Sequence, residues 1–198
     1  NNCAMPYGDA AIAAMAIVGR ITMFIGSAMI GIGQGLQPVS AYNYGAKNSD
    51  RVKGIFKLLL TCSLIYSVTI WAAVMLFPRG FASIFTSDAA LLDFTQSALR
   101  IYCAVLGIFG IQIACQMIFT SLGKAANSIV VAVVRKFVLL LPLIYIMPTI
   151  LDNKTQAVYM AEPVADVIAV TFTAILFAFQ FKKAMKEISS CTQGETIC

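Results

Sequence analysis

The chain has 198 residues, of which 60% are hydrophobic and 12% are charged, and its net charge is +5. A water-soluble domain has about 25% charged residues, so a chain with half that share is expected to meet lipid as well as water. The sequence has no histidine, the commonest catalytic base and zinc ligand, which weighs against hydrolases and metalloenzymes.

Five apolar stretches are long enough to cross a bilayer, since a hydrocarbon core about 30 Å thick requires about 20 apolar residues in a helix. The predicted spans are residues 21–44, 55–77, 101–122, 129–150 and 157–181. Helix-breaking residues close or bend three of them: Pro78 for the second, Gly123 for the third, and Pro142 with Pro148 for the fourth. The predicted fold class is therefore all-α, a polytopic transmembrane helical bundle.

Basic residues alternate with these spans. Ten of the fourteen lie in three regions, after spans one, three and five: Lys47, Arg51, Lys53, Lys57, Lys124, Arg135, Lys136, Lys182, Lys183 and Lys186. By the positive-inside rule these regions are predicted to be cytoplasmic. A nucleic-acid-binding surface is the rival explanation of the positive charge, but it would not alternate with hydrophobic spans. No nucleic-acid partner is predicted.

Five spans with a cytoplasmic C-terminus place the N-terminus outside the cell. No signal sequence precedes the first span, so we expect a further span upstream and interpret the chain as the C-terminal part of a longer polytopic protein. Residues 1–188 are predicted to form a membrane domain that is incomplete on its N-terminal side, and residues 189–198 a polar cytoplasmic tail.

The most distinctive segment is GIGQGLQPVSAYNYGAKNSDRVK, residues 31–53. Its glycine spacing is not GxGxxG and no strand precedes it, so it is not interpreted as a phosphate-binding loop. Gly31 and Gly35 are four residues apart, which predicts a helix face that a neighbouring helix approaches closely.

Polar residues interrupt the same helix. Gln34 and Gln37 are candidates either for contacts in a substrate cavity or for hydrogen bonds between helices. Pro38 is predicted to bend the helix and to free a carbonyl group. An amphipathic lead-in, residues 9–20, could extend the helix at its N-terminal end.

Two acids lie in span five. Glu162 and Asp166 share one helix face, and an acid inside a membrane is costly, so both are candidates for cation or proton binding. In the alternative, the longer Glu162 reaches interfacial water and Asp166 is a structural partner of Arg20, Arg100 or a helix hydroxyl. Arg135, about two turns inside span four, is expected to pair with an acid or with a phospholipid headgroup.

Several segments resemble the multidrug and toxic compound extrusion (MATE) family. GLQPVSAYNYGAKNSDR, residues 35–51, is similar to the end of the second helix in one lobe of these proteins, and residues 7–21 resemble the segment that leads into that helix. RKFVLLLPLIYIMP, residues 135–148, resembles the eleventh helix of the family, and AVYMAEPVADVIA, residues 157–169, the start of the twelfth.

The resemblance implies most of one six-helix lobe of a two-lobe transporter, helices eight to twelve. It implies export of drugs or organic cations in exchange for Na⁺ or H⁺ by alternating access, with no cofactor and no enzymatic activity. The expected partners are the lipid bilayer, small amphipathic or cationic substrates and the N-terminal lobe, and the expected location is the plasma membrane. The family places coupling acids in helices one, seven and ten, whereas helix ten has Gln112 and Gln116 here.

Two other functions remain open. A flippase or exporter of lipid-linked saccharides would be expected to line its cavity with several basic residues, and these are scarce within the spans. A membrane enzyme or assembly protein would require clustered nucleophiles, bases or metal ligands, and Glu162 with Asp166 is the one candidate pair. Six cysteines without paired spacing predict neither a disulfide framework nor a metal site.

Overall fold

The computed structural model describes residues 9–150 and 154–192, which are helical apart from short turns. The helices are α1 (Asp9–Gly45), α2 (Ser49–Leu76), α3 (Pro78–Ser83), α4 (Ala89–Tyr102), α5 (Leu106–Ser121), α6 (Ala125–Val133), α7 (Leu141–Ile150) and α8 (Lys154–Thr192). Within these ranges there are four candidate membrane spans, or five if α4 and α5 form one bent span. The all-α membrane bundle is confirmed.

Helix α1 includes the predicted lead-in and continues through Pro38 to Gly45. The proline has no N–H to donate to the preceding turn, yet the helix does not end there. The chain then reverses over three residues, with Lys47 at a positive φ of 56°. Asn48 caps α2, since its side chain accepts a hydrogen bond from the Arg51 N–H at 3.2 Å.

The third predicted span is broken. Helices α4 and α5 meet at 52°, and α5 covers most of the predicted span 101–122, while residues 101–105 belong to the end of α4 and to the break. Two side chains of α2 bond backbone carbonyl groups around the break: the Trp71 indole N–H donates to Ala104 O at 2.9 Å, and the Ser67 hydroxyl donates to Gly107 O at 2.8 Å. Ala104 lies between the two helices, so the Trp71 bond satisfies a carbonyl group in the break. Gly107 lies in the first turn of α5, and the Ser67 bond joins that turn to α2.

Residues 79–93, which lie between the second and third predicted spans, are largely helical. Pro78 is the first residue of α3, where its missing N–H costs nothing. Asp88 caps α4, accepting from Ala90 N at 2.9 Å and Leu91 N at 3.4 Å. Hydropathy did not indicate these helices because both are short and partly polar.

Helix α5 is central and packs against α1, α2 and α8. Two clusters of buried residues surround it. One is built from α2, α5 and α8, and in it the Phe177 ring lies 4.7 Å from Phe56, 5.0 Å from Phe181 and 5.2 Å from Phe119. The other is built from α1, α2, α4 and the α4–α5 break. It includes Leu99 of α4, Cys103 in the break and Leu106 at the start of α5.

Close helix packing involves glycines other than those predicted. A Cβ added at Gly31 or Gly35 would meet nothing within 4 Å among the described residues, so the predicted close approach is not made by the described part of this chain and stays a prediction. Gly33, about 200° around the helix from Gly31, lies against Met117. Gly110 of α5 is the position least able to take a side chain, because its Cβ would lie 2.6 Å from a backbone atom, the Ser63 carbonyl oxygen of α2.

Gly110→Ala is therefore expected to push α2 and α5 apart. Overpacking against a rigid backbone lowers the free energy of unfolding by about 1–3 kcal/mol, so the thermal midpoint of the detergent-solubilised full-length protein should fall. Gly54→Ala is the matched control, because a Cβ at Gly54 has no neighbour within 4 Å. Equal midpoints for the two variants would contradict this packing.

The ends of α2 and α8 that carry basic residues lie together. Ser189 Oγ of α8 is 3.4 Å from Ser49 Oγ of α2. Lys124, at the junction of α5 and α6, also contacts α8, since its Nζ donates to Gln180 Oε1 at 3.4 Å. Helix α8 continues to Thr192, so the first residues of the predicted tail belong to the helix.

Candidate functional site

A charged cluster lies inside the bundle, on a segment predicted to belong partly to a loop. Arg135 and Lys136 fall in a π-helical segment, Val134–Leu140, within the candidate span Ser128–Ile146. Assigning them to the loop after span three was therefore wrong, and of that group Lys124 alone lies at the helix junction. A π-helical turn is rare and often marks a functional site.

The acidic side of the cluster comes from α8. Glu162 and Asp166, one helical turn apart, point to the same neighbours, as predicted from their spacing. Their side chains are 11% and 12% exposed, and Glu162 contacts Arg135 and Lys136, which disfavours the alternative in which Glu162 reaches interfacial water. Pro163 lies between them within the helix.

Arg135 joins the two acids. Its Nε donates to Asp166 Oδ1 at 2.6 Å, and its Nη2 donates to Glu162 Oε1 at 3.3 Å. Asp166 is thus paired with Arg135 and not with Arg20 or Arg100, the partners considered from the sequence. A guanidinium is suited to this role because its donors are fixed in a planar fork.

Further groups complete the environment of the guanidinium. The Arg135 Cζ lies 4.7 Å from the centre of the Phe109 ring, a cation–π distance. Lys136, whose side chain is 54% exposed, approaches Glu162 Oε1 at 3.5 Å. Two acids and two basic groups balance in charge, which limits the cost of placing them in a membrane.

A small cavity adjoins the cluster at the α4–α5 break. Its volume is about 30 Å³, which is room for about one water-sized particle. It is lined from α1, the break, α5, the π-helical segment and α8 by Thr22, Tyr102, Cys103, Leu106, Phe109, Arg135, Glu162 and Asp166. Carboxylate and hydroxyl oxygens in so small a space suit a small cation or a proton, and exclude a drug-sized molecule.

The four candidate glutamines lie elsewhere, and none lines this cavity. Gln34 is exposed, Gln37 and Gln116 are half-buried, and Gln112 is buried. The Gln112 Oε1 has no hydrogen-bond partner among the described residues.

A larger apolar groove lies between the break and α8. Its volume is about 580 Å³, and one charged residue, Arg100, is among its lining residues. The others are Ile101, Ala104, Val105, Met160, Pro163, Val164, Val167 and Ile168.

Sequence reasoning found both acids and Arg135 but missed Phe109, Lys136, Thr22 and Tyr102. Phe109 is one of thirteen phenylalanines in an apolar chain, and nothing in its local pattern marks it. Lys136 could have been identified from the sequence, because it is a second basic residue beside Arg135 within the same apolar run.

A family model described as MatE matches residues 2–146. The multidrug export protein MepA of Staphylococcus aureus (strain NCTC 8325 / PS 47) is 26% identical over 141 residues, which is 71% of this chain and 31% of that protein. MepA of Staphylococcus saprophyticus is 26% identical over 144 residues, with the same shares. The chain thus spans about a third of the length of these curated relatives.

Solved structures share the fold. A crystal structure of MATE in the bent conformation superimposes with a TM-score of 0.88 at 18% identity, covering 96% of this chain and 42% of that one. The Vibrio cholerae MATE transporter VcmN in the bent form gives a TM-score of 0.80 at 21% identity, covering 94% and 41%.

Proposed function

The chain belongs to the MatE family of membrane transporters, and from that premise we propose that the protein it comes from exports drugs or organic cations by alternating access, in exchange for Na⁺ or H⁺. The family is not enzymatic, and the chain is part of a multi-pass membrane protein. The coupling ion, the drug substrates, the second lobe as partner and the plasma-membrane location belong to the proposal.

The buried charge cluster supports ion coupling in this lobe. Asp166 is an acid on a membrane-spanning helix, it borders a cavity of water size, and its charge is held by one guanidinium. Such intramembrane acids typically mark ion pathways. We therefore propose Asp166 as the coupling acid, with Glu162 as its neighbour and Arg135 as the counter-charge.

The same cluster disfavours the flippase alternative. A pyrophosphate cavity requires cationic groups that are available to the ligand, whereas Arg135 already contacts both acids and Lys136 approaches Glu162. A site in which carboxylates balance the cations offers no net positive charge to a phosphate.

The test is export by the full-length protein in sealed proteoliposomes. We expect ethidium to be expelled when an inward Na⁺ or H⁺ gradient is imposed, and the responses to the two gradients identify the coupling ion. Protein-free vesicles with the same gradients give the background. Ethidium movement equal to that background under both gradients would reject drug–ion antiport.

Orientation is tested with reporter fusions in the full-length protein. A reporter active only outside the cytoplasm should be inactive when inserted after Gly45, beside the basic α1–α2 turn, and active when inserted after Ser87. Gly45 precedes α2 and Ser87 follows α3, so the two positions flank the second predicted span and form an internal control. The reverse pattern would place the basic ends, and with them the C-terminal end of α8, outside.

A further inference from the structure

The site formed by Glu162 and Asp166 is already occupied by a cation, the guanidinium of Arg135. Arg135 Nε donates to Asp166 and Arg135 Nη2 donates to Glu162, so one guanidinium contacts both acids. The adjoining cavity of about 30 Å³ has room for a small ion but not for a small ion with its hydration shell. The carboxylate oxygen atoms Asp166 Oδ1 and Glu162 Oε1 already accept from the guanidinium, so an ion that binds these atoms must compete with Arg135.

We propose that Arg135 is a tethered occupant of this site, and that the coupling cation binds Asp166 only in exchange for its guanidinium. This inference rests on the proposed function, because it assigns a competitor to the coupling acid. It identifies Arg135 as a residue that sets the apparent affinity for the ion, in addition to any role in folding.

After leaving Asp166, the guanidinium can keep two of its present contacts. The Phe109 ring lies 4.7 Å from Arg135 Cζ, and Glu162 accepts from a different nitrogen than Asp166 does. Arg135 can therefore give up Asp166 and keep these two contacts. In that case an entering cation adds one positive charge to a balanced cluster.

Lys136 can remove the added charge. Its side chain is 54% exposed, and it approaches Glu162 at 3.5 Å, the longest of the three contacts between basic and acidic groups in the cluster. When Arg135 contacts Glu162 alone, the Lys136 ammonium group can turn outward, since a lysine side chain readily places its charge at a polar surface. The cluster then remains balanced at every stage.

Arg135→Lys tests the exchange while keeping the charge. A lysine is a single point of charge and cannot contact both acids in the fork geometry, so it should compete less well for Asp166. We expect the half-saturating concentration of the coupling cation to fall about tenfold, the change produced by losing one charge-assisted hydrogen bond. A purely structural arginine would leave this concentration unchanged.

The experiment uses purified full-length protein and two probes. Binding of ²²Na⁺ is titrated at fixed pH, and the pH of half-maximal ethidium export is measured in Na⁺-free choline buffer. The titratable side chains around Asp166 that bear on the second probe are Arg135, Lys136, Glu162, Tyr102 and Cys103. Arg79→Lys is the matched control, because it makes the same substitution at an exposed ion pair outside the cluster, where Arg79 lies 3.9 Å from Asp93; its half-saturation should stay within about twofold, the scale of an exposed ion pair.

The outcomes separate the two proposals. A tenfold shift in either titration for Arg135→Lys, with Arg79→Lys unshifted, supports the tethered occupant. If the unaltered protein exports ethidium with an ion gradient but Arg135→Lys shifts neither titration, the tethered occupant is overturned and the proposed function stands. If the unaltered protein does not export and Arg135→Lys still binds ²²Na⁺ more tightly, the antiport proposal fails and the exchange survives.

Discussion

Asp166→Asn in the full-length protein is expected to lower ion-driven export about tenfold or more, while the amount of folded protein in the membrane changes little. The asparagine keeps the size of the side chain and an oxygen that can accept from Arg135 Nε, now 2.6 Å away. Glu162 still balances the guanidinium, which protects folding. The charge available to a coupling ion is lost, and a charge-assisted hydrogen bond is worth a tenfold change or more.

Glu162→Gln is the matched comparison, because it removes the other acid of the same helix face. We expect a smaller loss of export, since Glu162 contacts Arg135 at 3.3 Å and leaves the shorter Asp166 contact in place. Export is measured per molecule in proteoliposomes. If Asp166→Asn exports as fast as the unaltered protein, Asp166 is only a structural partner and is not the coupling acid.

Arg135→Met is expected to have the largest effect on folding. The substitution leaves two acids that are 11% and 12% exposed, and Lys136 approaches only one of them. Removing one member of a buried ion pair costs about 3–5 kcal/mol, because the remaining charge has lost its compensation. The thermal midpoint and the monodisperse fraction after detergent extraction should both fall sharply.

A second substitution distinguishes the orphaned charge from lost packing. In Arg135→Met/Asp166→Asn, the remaining acid, Glu162, still has Lys136, so most of the stability should return. Arg79→Met is the control: its contact with Asp93 at 3.9 Å is exposed, and such pairs contribute at most about 1 kcal/mol. A double variant no more stable than Arg135→Met would show that the guanidinium matters for its shape and contacts.

The membrane spans could be predicted because length and hydropathy fix them locally. Helices α1 and α8 each contain a predicted span and extend beyond it, and α2 covers its predicted span except for residue 77. The pairing of Glu162 with Asp166 on one face also followed from helical spacing alone. The partner of both acids was harder to identify, since it depends on which helix packs beside α8.

The break between α4 and α5 could not be predicted. Cys103 to Val105 lie in an apolar run without proline, and the groups that bond the carbonyls near the break, Trp71 and Ser67, are on another helix. The cavity beside Asp166 depends on this break, because Tyr102, Cys103 and Leu106 line it. Local sequence therefore identified Glu162 and Asp166 but did not predict the cavity beside them.

The bonds from α2 to the break also limit how this protein can be recombined with its relatives. Trp71 and Gly107 fit each other closely, with 3.4 Å between the indole ring and an added Cβ at Gly107. A chimera that takes α2 from one homologue and α4–α5 from another would separate the donors from the carbonyl groups they serve, and a crossover placed between them is expected to produce poorly folded proteins. Functional chimeras should retain residues 67–110 from a single parent.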